Sequence, residues 1–141
     1  MVPGDGFVKK TVENKGTFDA PLNITMWTMD FEGNGPIIGS GKPIARLMIQ
    51  SGSPRFSYEP KSDIAYAQLD NNRSLINING ESGVVKITEK DEDGKETSRN
   101  GYDSTTMWNL PCLNPGNQVL YFTNLMKNDC MCSFFYKEMF L

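Results

Sequence analysis

Residues 63–80, Asp63-Ile-Ala-Tyr-Ala-Gln-Leu-Asp-Asn-Asn-Arg-Ser-Leu-Ile-Asn-Ile-Asn-Gly80, constrain the fold of this chain more than any other stretch. Two runs rich in aliphatic and β-branched residues, Ile64–Leu69 and Ser74–Asn79, flank the polar segment Asp70-Asn71-Asn72-Arg73. Asp and Asn tolerate the left-handed backbone of a short connection, so the stretch reads as a β-hairpin. In its second run Ile76 and Ile78 face one way, while Leu75, Asn77 and Asn79 face the other. That alternation belongs to a strand with one buried face. Gly80 ends the run. No nucleophile, base or metal-ligand set accompanies it, which points to a scaffold or binding module and not to an enzyme.

The 141 residues make one domain, 1–141, long enough to bury a core without staples. Hydrophobic residues are 38% and charged residues 22%, which fits a folded β-rich chain and argues against disorder. A net charge of −3 gives no overall basic field for phosphates, so no nucleic-acid partner is expected. No run of about 18 apolar residues exists, so no membrane span is expected either. The opening Met1-Val-Pro-Gly-Asp-Gly6 lacks the charged-then-apolar order of a secretory leader, which implies synthesis in a cytoplasm. Residues 1–6 read as a flexible lead-in.

Histidine is absent. That removes Ser-His-Asp and Cys-His catalysis and His-ligated zinc. The odd set of cysteines, Cys112, Cys130 and Cys132, suits reduced, buried thiols better than a disulfide framework. Cys130-x-Cys132 reads as core and not as a soft-metal site. No cofactor is expected.

Phe7–Asn14, Leu22–Thr28 and Ile44–Gln50 read as strands. The Gly/Pro-rich segment 32–43 fits neither Gly-x-Gly-x-x-Gly nor a P-loop, and reads as a connection around a short Pro36-Ile37-Ile38 edge strand. Ser51–Pro54 turns the chain into Arg55-Phe-Ser-Tyr58. Val84–Thr88 leads into a charged ribbon, 89–98, whose Asp93-Gly94 predicts a type I′ hairpin turn with positive φ at both central residues. Asp91, Glu92 and Asp93 there lack calcium-loop spacing and read as a solvated, protruding tip. One short helical turn fits Thr105–Asn109. Asn114-Pro115-Gly116-Asn117 predicts a tight turn, with Gly at the left-handed position, before a strand at Gln118–Thr123. The closing Met131–Leu141 is apolar on both faces, as for a strand central in a sheet or clamped at an interface. About ten short strands without sustained helical periodicity imply an all-β, antiparallel two-sheet β-sandwich of jelly-roll type.

Four segments in this order resemble the C-terminal galectin-like domain of the distal tail protein of long-tailed bacteriophages. They are Val12-Glu-Asn-Lys-Gly-Thr17 with Ala20-Pro21-Leu-Asn-Ile24, the stretch Ile64–Gly80, Leu110 with Leu113-Asn-Pro-Gly-Asn117 and Phe122, and Phe134-Phe-Tyr136 with Leu141. Together they span the chain from about residue 8 onward. The resemblance implies a galectin-like sandwich in a virion tail tip or baseplate. It also implies docking on other tail proteins, with a six-membered assembly as the corresponding oligomer. Such tail proteins also carry an N-terminal, ring-building half, so the expectation is either the domain alone or a separate virion protein reusing the fold.

A second expectation is a carbohydrate-binding module recognising a host cell-wall saccharide, because sandwiches of this kind stack sugars on aromatic side chains. The candidates are Trp27, on a polar strand face with Asn23 and Thr25, Trp108 beside Asn109, and Tyr102. The competing reading of both tryptophans is core or sheet-edge cover. Two-carboxylate glycoside hydrolysis is the remaining histidine-free chemistry, but Asp63 and Asp70 read as turn residues.

Overall fold

The computed structural model describes residues 1–33, 36–39, 43–53, 63–106 and 110–140. Among these are eleven strands: β1 (Gly6–Asn14), β2 (Ala20–Thr28), β3 (Ala45–Ser51), β4 (Asp63–Leu69), β5 (Ser74–Asn79), β6 (Val85–Lys90), β7 (Glu96–Asn100), β8 (Thr105–Thr106), β9 (Cys112–Leu113), β10 (Gly116–Asn124) and β11 (Cys130–Tyr136). Two antiparallel sheets pack face to face. One runs β1-β10-β3-β4-β8 and the other β11-β2-β5-β6-β7, with β9 pairing the start of β2.

Alternation in the sequence sets the inner faces. Ala20, Leu22, Ile24 and Met26 on β2 are all buried, as are Ile76 and Ile78 on β5 and Val85 and Ile87 on β6. They meet Leu47, Ile49, Ala65, Ala67, Leu120 and Phe122 of the facing sheet in one cluster. Burial of this apolar area is the main stabilising term of the sandwich.

The stretch 63–80 is not a hairpin. β4 pairs with β3 and β8, while β5 pairs with β2 and β6, so Asp70–Arg73 carries the chain from one sheet to the other. The cause is polar and non-local. Asn72 and Arg73 are buried at 8% and 2% exposure, and no β4–β5 ladder satisfies their backbone. Asn72 N donates to the Ile38 carbonyl, the Arg73 carbonyl accepts from Lys90 N, and side chains take the other two groups. Thr28 Oγ1 donates to the Asn72 carbonyl at 2.7 Å and accepts from Ser74 N at 3.1 Å, and Asn71 Oδ1 accepts from Arg73 N at 2.8 Å. The Asn72 side chain holds the preceding connection. Its Oδ1 accepts from Ile38 N at 2.7 Å, and its Nδ2 donates to the Pro36 carbonyl at 3.0 Å. Pro36–Ile38 therefore forms no strand; one bridge, Gly39 to Asn71, stands there.

Other expectations also change. Residues 1–6 are tied down: Val2 is 3% exposed and exchanges backbone hydrogen bonds with Cys130, while Gly4 N donates to Asp129 Oδ1 at 2.7 Å. The charged ribbon turns through Gly94 at φ +81°, with Asp93 outside the positive-φ region, so its turn is not type I′. Gly94 N donates to the Asp91 carbonyl and Asp91 Oδ1 accepts from Asp93 N and Lys95 N, which makes a type I turn closed by a glycine bulge. The short helical turn falls at Tyr102–Ser104, and Thr105 and Thr106 belong to β8. Gly116, at φ +99°, takes the left-handed position expected of it.

The closing strand is not central. β11 is the edge strand of its sheet, laddered to β2 and bridged on its other side by Val2 at Cys130, and it ends at Tyr136. Its apolar two-sidedness has two sources. Phe134 stacks on Phe122 of the other sheet at 5.3 Å between ring centroids, whereas Phe135 points outward at 67% exposure. Arg55–Tyr58 and Trp108 lie outside the described residues.

Candidate functional site

The two outer sheet faces differ. On the five-stranded sheet Met48, Gln50 and Thr123, which alternate with core residues, are 0% exposed, so that face is covered at its centre. The outer face of the six-stranded sheet is partly exposed, apolar along one row and polar along the next. Its rows follow from strand register: Met131–Trp27–Leu75–Thr88, then Ser133–Thr25–Asn77–Lys86, then Phe135–Asn23–Asn79.

Trp27 stands in the first row, half-buried between Met131 and Leu75. Tyr102 is 50% exposed, but its hydroxyl donates to the Gly83 carbonyl at 2.5 Å and pins the β5–β6 turn. The two are not brought together. Trp27 lies level with Thr88 through Leu75, two strands across, and Gly83 is beyond the far end of β6. From Thr88 to Val85 alone is about 10 Å along the strand.

The third row has the geometry of a binding site. It borders a groove of about 440 Å³ whose walls include Pro21, Asn23, Asn79, Glu81, Phe135 and Lys137. Phe135 supplies an uncovered ring, Asn23 and Asn79 two amides, and Glu81 and Lys137 one charge of each sign at the rim. The alternation of Asn23, Asn77 and Asn79 was visible in the sequence. Phe135 was not, because its neighbours are set by β2–β11 pairing across more than a hundred residues.

The acidic ribbon contributes no comparable site. Asp91 is occupied with its own turn, and among the described residues no group of three or more Cys, Asp or Glu is placed to hold a metal ion. The three cysteines are free thiols. Burial pushes the thiols of both Cys130 and Cys132 up to about 12, and raises Cys112 through burial and the nearby Asp19 carboxylate. A raised folded-state pKa keeps the thiol protonated, and thiolate is the reactive form. An aromatic disulfide reagent at mildly alkaline pH should therefore react with Cys112 well before Cys130 and Cys132, and with all three at similar rates in urea. By linkage, the stability held by the two protonated thiols is present below the ordinary value of 9.0 and is lost as pH rises from there towards about 12.

Comparison of the chain with models of known protein families, with curated proteins and with solved structures finds no match.

Proposed function

We propose that this domain is a non-catalytic contact module of a bacteriophage tail tip or baseplate, carried in the virion and docked on other tail proteins. The reading rests on the resemblance to galectin-like tail domains. The observation that supports docking most is an uncharged sheet edge, the part of β11 beyond the Val2–Cys130 bridge, which stands out among the edges of the described residues. Edge strands invite pairing with other chains and are normally blunted by charge or shortness. β1 carries Lys9, Lys10 and Glu13, β7 carries Glu96 and Arg99, and β8 has two residues. β11, Cys-Met-Cys-Ser-Phe-Phe-Tyr, carries no charge and no proline. Just past its end Met139 and Phe140 are 47% and 64% exposed, and Phe18, 44% exposed, lines one hollow with Met139. Exposed apolar side chains gathered near an uncharged edge mark interaction sites.

The segments that carry the resemblance also converge at one end of the sandwich. Asn14 Nδ2 donates to the Leu113 carbonyl at 2.9 Å, Gly80 N to the Leu22 carbonyl at 2.8 Å, and the Tyr136 hydroxyl to the Glu13 carbonyl at 2.9 Å. The four likenesses are thus parts of one constellation.

The test is co-expression with the structural proteins encoded beside this chain, read by size-exclusion chromatography with light scattering. A complex of defined stoichiometry is expected, six copies being the number the resemblance implies. Phe18→Asp with Phe140→Asp should weaken that complex about tenfold or more while leaving the β-sheet circular dichroism unchanged. A chain that stays monomeric with every such neighbour would overturn the reading.

A further inference from the structure

We propose that the groove beside Phe135 is a binding site for a neutral pyranose sugar, with the Phe135 ring as stacking platform and the Nδ2 groups of Asn23 and Asn79 as donors to sugar oxygens. This site does not depend on the docking reading, and it is not the Trp27–Tyr102–Trp108 set expected from sequence.

The orientation of both amides follows from their partners. Asn79 Oδ1 accepts from two backbone donors, Glu81 N at 3.0 Å and Ser82 N at 3.1 Å, so its carbonyl faces the turn and its NH₂ faces away. Asn77 Nδ2 donates to the Ile24 carbonyl at 3.3 Å, which can only accept and so fixes that amide too, and its two hydrogens are shared among that carbonyl, Thr25 Oγ1 at 2.9 Å and Asn23. The same Nδ2 donates to Asn23 at 2.8 Å, so the Asn23 atom receiving it is Oδ1. Both accepting ends are thereby used, and neither Asn23 Nδ2 nor Asn79 Nδ2 has a partner among the described residues.

Register places these donors beside the ring. Asn23 is directly opposite Phe135 on one side and Asn79 on the other. Directly opposed side chains stand about 5 Å apart, so ring and donors form one short row. A pyranose matches this row because one of its faces presents C–H groups to an aromatic ring while its edge presents oxygens that accept hydrogen bonds. Glu81 at the rim accepts from hydroxyls, and Lys137 donates to them. An anionic ligand fits less well: the chain carries net charge −3, and the groove balances its single lysine with a carboxylate.

Amide correlation spectra of the whole chain, titrated with methyl galactoside, methyl glucoside and N-acetylglucosamine, test the site. At least one of these sugars should shift the side-chain amides of Asn23 and Asn79 saturably at millimolar concentration, and glycerol should not. Asn23→Asp and Asn79→Asp each keep the accepting oxygen and remove the donor, so each should weaken binding about tenfold without unfolding the turn. Phe135→Ala should weaken it by a similar factor, and Trp27→Ala should leave it unchanged. Absence of a saturable shift with all three sugars overturns the proposal. So does binding that survives Asn79→Asp undiminished or that is lost with Trp27→Ala.

Discussion

Replacing Arg73 by alanine should lower the unfolding free energy by about 3–4 kcal/mol, and replacing it by lysine should restore less than half of that. Arg73 is 2% exposed at the point where the chain crosses between sheets. Its guanidinium donates to the Gly33 carbonyl and, at 3.3 Å, to the Asp91 carbonyl, while its own carbonyl accepts from Lys90 N at 3.0 Å. One side chain thus ties the segment after β2, the crossover and the base of the charged ribbon. Alanine removes the volume and orphans two carbonyls at once. The Asp91 end is open to water and recovers part of its loss, which is why the figure is not larger. Lysine keeps the charge but has no planar fork to reach two carbonyls in different directions. Urea unfolding measures it: with a slope of about 2 kcal/mol per molar, the alanine midpoint should fall by about 1.5–2 M. A fall of under about 0.5 kcal/mol for both variants would mean the crossover does not rest on this cation.

That same crossover marks the limit of what could be read from the sequence. The strands were legible because their alternation is local: β2, β4 and β5 appear within a residue or two of where Leu22, Ala65 and Ile76 place them. Their partners were not. Asp-Asn-Asn-Arg serves a hairpin turn and a sheet-to-sheet crossover equally well by composition. What decides between them is Thr28, more than forty residues away, whose hydroxyl satisfies backbone groups that a hairpin would have paired. Strand pairing likewise decides the site. Asn23, Asn77 and Asn79 announced a polar outer face, but the aromatic beside them is Phe135 of the edge strand, brought there by β11 pairing with β2. Tyr102 is equally aromatic in sequence, but its hydroxyl is committed to the Gly83 carbonyl. Aromatic residues in loops carry little signal, because what they cover is settled by tertiary contacts.

Gly80→Ala should cost about 3–4 kcal/mol, the second large effect, for a reason distinct from backbone freedom. Gly80 has no positive φ. A Cβ there would stand 2.3 Å from the Pro111 carbonyl oxygen and 2.5 Å from that of Leu22, both backbone atoms that no side-chain rotation can move. These oxygens are also in use, since Gly80 N donates to Leu22 O at 2.8 Å and Leu22 N to Pro111 O at 2.9 Å. Making room therefore separates three segments and strains two buried hydrogen bonds together. Gly94→Ala is the counter-case. Its φ of +81° penalises a side chain, yet nothing lies within 4 Å, so the cost should be about 1 kcal/mol. Thermal unfolding separates the two mechanisms, with midpoints expected to fall by about 10 °C for Gly80→Ala and about 3 °C for Gly94→Ala. Equal shifts would show that close backbone approach is not what demands glycine at residue 80. Gly80 adjoins Asn79 and bonds to Leu22, which adjoins Asn23, so the movement that relieves the clash also displaces both amides of the groove. Sugar binding should then weaken in Gly80→Ala even at temperatures where the chain is fully folded, and stay intact in Gly94→Ala.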